Sequence, residues 1–137
     1  MITENIKALV EYRLDQADES LAAAQILLEK MMLRTAVNRS YYAMFYAVLS
    51  LLAVDKKETS KHSGAVSLFD KEFVKRGVFA KDFSRWLHEA FDLRQITDYS
   101  AESSVSLEDA QLSFAHANAF VEEVKSVLKR NYHLNLR

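Results

Sequence analysis

Between Phe83 and Tyr99 runs FSRWLHEAFDLRQITDY, a stretch in which a permanent cation falls on an apolar helical stripe. With Phe83 at zero and a step of about 100° per residue, Leu87, Ala90, Arg94, Thr97 and Asp98 lie within about 60° of it. The opposite face carries Arg85, His88, Glu89, Asp92, Gln95 and Tyr99, of which His88, Gln95 and Tyr99 form a line. A guanidinium keeps its charge throughout the pH range of proteins. Arg94 must therefore be paired, line a cleft, or meet another subunit. Asp98, four residues on, is the partner available along the helix, in a pair worth a few tenths of a kcal/mol when exposed.

A second group of chemistry-bearing residues opens the segment AVNRSYYAMFYAVLSLLAV. Asn38 and Arg39 precede Tyr42 and Tyr46 on roughly one side. Buried tyrosine hydroxyls need partners, so a small polar network at this helix start is one reading. The other is a tyrosine-rich cleft in which Arg39, Tyr42 and Tyr46 stack a base and hold a phosphate. Further on, Lys61, His62 and Ser63 sit at a helix N-terminus, where backbone N–H groups and the dipole favour anions. The basic run Lys71, Lys75, Arg76, Lys81 and Arg85 is diluted by Asp70, Glu72 and Asp82 and reads as a solvated face.

These residues need helices to position them. The stripe Ile6, Val10, Leu14, Ala17, Leu21, Ala24, Leu28 predicts a first helix from Thr3 to about Lys30. MMLR breaks the pattern, and Thr35 is the expected cap of the next helix. That helix, Ala36 to Val54, is apolar all round after its first turn and is expected to be the central rod. DKKETSKHSG is a loop, with Ser60 the expected cap of a helix from His62 to Arg76. Gly77 is placed to end it in a left-handed conformation. Ser106 and Asp109 carry a capping signature, opening a last helix to about Tyr132 whose seam runs through Leu107, Ala110, Phe114, Ala117, Val121, Val124 and Leu128.

Composition agrees. Residues 1–137 have the length of one domain, and with no proline, two glycines and 50% hydrophobic residues there is little turn material for a β protein. The expected fold is all-α, an antiparallel up-and-down bundle of four long helices and one shorter one. Cysteine is absent, which removes disulfides, thiolate metal sites and a cysteine nucleophile. No zinc spacing, phosphate loop or paired Glu-x-x-His is present, so neither a metal nor another cofactor is expected. A net charge of −1 excludes capture of nucleic acid by the charge of the whole chain. No signal peptide is evident, and Tyr41 to Val54 is too short for a membrane span; the expected location is the cytoplasm.

Together and in order, AVNRSYYAMFYAVLSLL, SKHSG with SLFDKEFVKRG, and LRQITDY resemble the HEPN domain superfamily, in particular its small stand-alone prokaryotic branch. The resemblance covers residues 36–99 in motif and the whole chain in helical layout. It implies a homodimeric bundle with a cleft between protomers. It also implies a toxin-antitoxin-like context, with a minimal nucleotidyltransferase as partner and a nucleotide or RNA as ligand. Many members of the superfamily are metal-independent endoribonucleases in which an Arg and a later His are separated by four to six residues. In that chemistry the Arg stabilises phosphoryl charge and the His transfers protons.

Arg94 matches the first position, but the second holds Tyr99, whose phenol is a poor base near neutral pH. The motif is degenerate. The expectation is a binding module with the cleft around Arg94, Asp98 and Tyr99 and with Arg39, Tyr42, Tyr46, Lys61, His62, His88 and Gln95 as candidate ligand contacts. The alternative is an active ribonuclease toxin using Arg94 with Tyr99 or His88. Beside a nucleotidyltransferase partner, the resemblance makes Tyr99 a candidate for covalent nucleotide attachment. A purely structural helical adaptor is the blandest reading.

Overall fold

The computed structural model describes residues 2–57, 59, 61–99 and 104–136, with the side chain of Tyr99 outside the described part. Its elements are α1 (Glu4–Glu29), α2 (Leu33–Val54), α3 (His62–Phe69), α4 (Lys81–Tyr99) and α5 (Leu107–Tyr132), an all-α bundle.

Helix α1 starts at Thr3, whose hydroxyl accepts from the Ile6 amide. Its predicted stripe is buried at Val10, Leu14, Ala17, Leu21 and Ala24. The chain reverses at Met31, in the left-handed region at φ 59°. Helix α2 then begins at Leu33, three residues before the expected start, and Met32 rather than Thr35 is its cap. No side-chain cap bond forms there; the Met32 carbonyl takes the Ala36 amide, which places Thr35 inside the first turn.

Largely apolar beyond Arg39, α2 is the rod on which the other helices pack: Ala36, Val37, Tyr41, Met44, Ala47 and Leu51 are all fully buried. The rings of Phe69 and Phe79 lie 5.0 Å apart, and Phe69 lies 5.2 Å from Phe120, so this aromatic cluster ties α3 and the loop after it to α5.

Helix α3 differs from the single helix predicted to Arg76. After Phe69 the backbone widens into a π turn, Asp70–Val74, closed by the Lys75 amide on the Asp70 carbonyl. The wider turn shifts the facing of the side chains around it. Asp70 reaches Ser84 and His88 of α4, while Phe73 stays in the core. Gly77 ends this segment at φ 80°, as predicted, and nothing lies within 4 Å of a Cβ placed there, so the requirement is conformational, not spatial. Ser60 falls outside the described residues; Lys61 occupies the cap position of α3 without a side-chain cap bond. Ser106 caps α5 by accepting from the Asp109 amide.

Candidate functional site

Arg94 lies where the stripe of α4 meets the first half of α2. Leu87, Ala90 and Thr97 on the same stripe are buried, and the Arg94 side chain is 14% exposed. Its Nε is 2.9 Å from Oδ2 of Asp98, within ion-pair distance but not aligned for a hydrogen bond. Nη2 donates to the Tyr42 hydroxyl at 3.2 Å. The guanidinium carbon stands 5.6 Å and 5.5 Å from the ring centres of Tyr41 and Tyr42, a cation–π arrangement.

The polar network foreseen at the start of α2 exists, and it closes on Arg94. Asn38 donates from Nδ2 to Asp98 at 3.3 Å and accepts at Oδ1 from Nε and Nη2 of Arg39. The Arg39 guanidinium stands 4.7 Å from the Tyr42 ring centre. Tyr42 thus has contacts with two guanidiniums. Arg34, one turn earlier, donates to the Thr97 carbonyl and joins the ends of α2 and α4. Beside the ion pair, Arg34, Thr35, Asn38, Thr97 and Asp98 line a groove of about 270 Å³. Guanidinium groups are thus concentrated here on a chain whose net charge is −1.

Across the tyrosines stands His62. Its Nδ1 is 2.7 Å from the hydroxyl of the fully buried Tyr41, and its ring stacks on Phe45 at 4.1 Å with 10° between planes. It also packs against the Tyr42 ring, 5.5 Å between centres. Burial pushes the Tyr41 phenol well above its ordinary range, so it stays protonated, and its O–H can donate a hydrogen bond to Nδ1. A neutral imidazole so engaged carries its own proton on Nε2. Burial first, and the Arg94 charge second, lower the pKa of His62 from 6.5. Arg94 and His62 thus share the walls formed by Tyr41 and Tyr42.

The position of His62 is built locally. The Lys61 amide donates to Oγ1 of Thr59, and a Cβ added to Gly64 would come within 2.4 Å of that atom. Only glycine lets the first turn of α3 settle against Thr59.

The other candidates divide. Arg39, Tyr42, Asp98 and His62 meet around Arg94. Tyr46 touches Tyr42 but lines a separate groove with Gln16, Glu19 and Arg39, facing α1. Lys61 faces a third groove, between α1 and α2. Gln95 is exposed on the far face of α4. His88 points away, its Nε2 2.6 Å from Asp70. Tyr99 lies outside the described side chains. Two participants, Tyr41 and Arg34, are not among the candidate site residues that the sequence marks. A 3.6-residue period relates residues within a helix; these come from other turns and other helices.

A family model described as HEPN domain matches residues 10–127. The chain belongs to the HEPN family. It is 34% identical over 128 residues to a candidate toxin of Methanocaldococcus jannaschii, a match covering 93% of this chain and 92% of that protein. Against a UPF0332 protein of Thermotoga maritima identity is 33% over 121 residues, covering 88% and 92% of the two chains. A UPF0332 protein of Gloeobacter violaceus is 40% identical over 111 residues, covering 80% and 87%. The likeness thus extends well beyond the stretch that carries the motifs. No helix among the described residues of this HEPN chain is long and apolar enough to cross a membrane.

Proposed function

We propose that this HEPN chain is the toxin-like member of a toxin-antitoxin or defence pair, a homodimer that binds the phosphate of a nucleotide or RNA at the Arg94 cluster. A minimal nucleotidyltransferase is the proposed protein partner. The observation that carries the reading is the concentration of guanidinium: Arg94 and Arg39 both against the Tyr42 ring, linked through Asp98 and Asn38, beside a groove that Asp98 lines. Planar guanidinium groups suit phosphate oxygens, and the tyrosines offer rings for a base. The names of the relatives, a candidate toxin among them, support the context. In this reading the motif is degenerate, with Tyr99 where the resemblance puts a histidine.

The test is binding of a fluorescent oligoribonucleotide, and of ATP, to the full chain and to Arg94→Ala. Saturable binding that disappears in the variant is expected. Binding unchanged in the variant, or none at all, removes the reading.

A second reading is favoured by one observation, the imidazole beside the cluster. In an active ribonuclease, Arg94 would stabilise the phosphorane charge and His62 would move the protons. His88 serves this poorly within its own protomer, since its Nε2 faces Asp70. Structured RNA incubated with EDTA separates the two. Cleavage lost in both Arg94→Ala and His62→Asn selects the enzyme; binding without cleavage selects the module.

A further inference from the structure

Away from the Arg94 cluster, α1, the second half of α2 and the loop after it enclose an open groove of about 950 Å³. Its floor is aliphatic: Ile6 and Leu9 from α1, Leu49, Leu52 and Ala53 from α2. Leu9 is 42% exposed, and Tyr12 beside it on α1 is 57% exposed. The charged residues in the lining are Arg13, Lys56, Lys57 and Lys61, and no described carboxylate joins them. Four cations thus line an apolar trough on a chain of net charge −1, three of them from a segment that also holds Asp55 and Glu58 in sequence.

We infer that this groove is the docking site for an acidic amphipathic helix of a partner protein. Helix-in-groove recognition needs an apolar floor for anchors at i, i+3, i+4 and i+7, and the cationic rim selects glutamate or aspartate on the flanks of the incoming helix. Other occupants fit less well. A two-fold contact with a second copy would set the same cationic patch against itself. Single-stranded nucleic acid stacks on aromatic rings, and none lines this floor. An anionic bilayer meets a convex or flat surface better than a recess. The groove also includes Thr59 and Lys61, the latter directly before His62, so an occupant would touch the loop on which the imidazole is set. The docking itself does not depend on what Arg94 binds.

The test uses the full chain and a fluorescein-labelled synthetic helix of about four turns, leucine on one face and glutamate on the other, read by anisotropy. A second peptide keeps the leucines and replaces glutamate by lysine. The glutamate peptide is expected to bind, more weakly as salt is raised, and the lysine peptide to bind at least about tenfold more weakly. Leu9→Glu and Lys57→Glu, both at exposed positions that leave the core intact, should each weaken binding by about tenfold. Arg94→Ala should bind as the unaltered chain does. Equal affinity for both peptides, no binding, indifference to Leu9→Glu and Lys57→Glu, or loss in Arg94→Ala would each overturn the proposal. So would phosphatidylglycerol vesicles or single-stranded RNA that displace the peptide.

Discussion

Asp98 both holds Arg94 in place and competes for it. An incoming phosphate must share the guanidinium with a carboxylate already 2.9 Å from Nε. Asp98→Asn removes the competing charge and keeps an amide able to accept from Asn38, so it should tighten binding of an oligoribonucleotide. The same change leaves a guanidinium with 14% side-chain exposure without its counter-charge, which should cost about 1–3 kcal/mol of stability. Arg94→Met keeps the packed stem and strands only a partly exposed carboxylate, so it should destabilise less while abolishing binding. Urea titration and anisotropy on the two variants check both halves, and tighter binding in Arg94→Met would refute the competition.

His62 supplies a pH dependence whose sign is fixed. Its folded-state pKa lies below the ordinary 6.5 because burial, and then Arg94, disfavour the imidazolium. Between that lowered value and 6.5 the unfolded chain binds more protons than the folded one, so stability rises with pH. The contribution is complete above 6.5 and is lost as pH falls through the folded value. His116, stacked on Trp86 at 4.4 Å and also lowered by burial, acts in the same direction. The melting temperature should fall on acidification from about pH 7.5 to about pH 5.5, and His62→Phe should flatten part of that fall. An unaltered slope in His62→Phe would place the pH dependence elsewhere.

Among the helices, α3 is short and is held by the aromatic rings it packs against. Phe69 meets Phe79 and Phe120, and Phe120 is itself fully buried. Phe120→Ala should cost about 3–5 kcal/mol and release α3 together with His62. A gentler probe is Gly64→Ala, whose Cβ would meet Thr59 Oγ1 at 2.4 Å. It should lower stability and shift the His62 ring resonances, and the added change Thr59→Ala, which removes the clashing hydroxyl, should restore much of both. A double variant no better than Gly64→Ala alone would show that the clash is not the cause.

The legibility of these elements depends on the range of the interactions that make them. Periodicity is sufficient for α1, α5 and the body of α2, because burial of one stripe, or of nearly every face, depends on neighbours three and four residues away. The same logic reached the Arg94–Asp98 pair and the Ser106 cap. It could not reach the contacts that complete the site: Tyr41 to His62 spans 21 residues, Asn38 to Asp98 spans 60 and Arg34 to Thr97 spans 63. Nor does a regular period foresee a π turn at Asp70, or a helix that starts at Leu33 without a capping side chain.

For the whole molecule, the proposed homodimer places Tyr99, Gln95 and His88 near the junction of protomers. Ile96, beside Gln95 on α4, is 54% exposed, and Met32, at the start of the helix that Arg34 ties to Thr97, is 52% exposed. Large apolar side chains left in water near a charged cluster suit a surface covered by a partner. Sedimentation velocity is expected to give a dimer, and Ile96→Glu a monomer with unchanged helicity. A monomer at all concentrations in the unaltered chain would refute the assembly.

For the proposed function to hold, Arg94 must stay available to a phosphate although Asp98 neutralises part of its charge. Equilibrium binding of one oligoribonucleotide to the unaltered chain, Arg94→Ala and Asp98→Asn at a single ionic strength decides whether it does. Saturable binding is expected, with its loss in the first variant and its strengthening in the second. The same affinity in all three, or binding in none, would contradict this and make the ion pair a strut of the bundle.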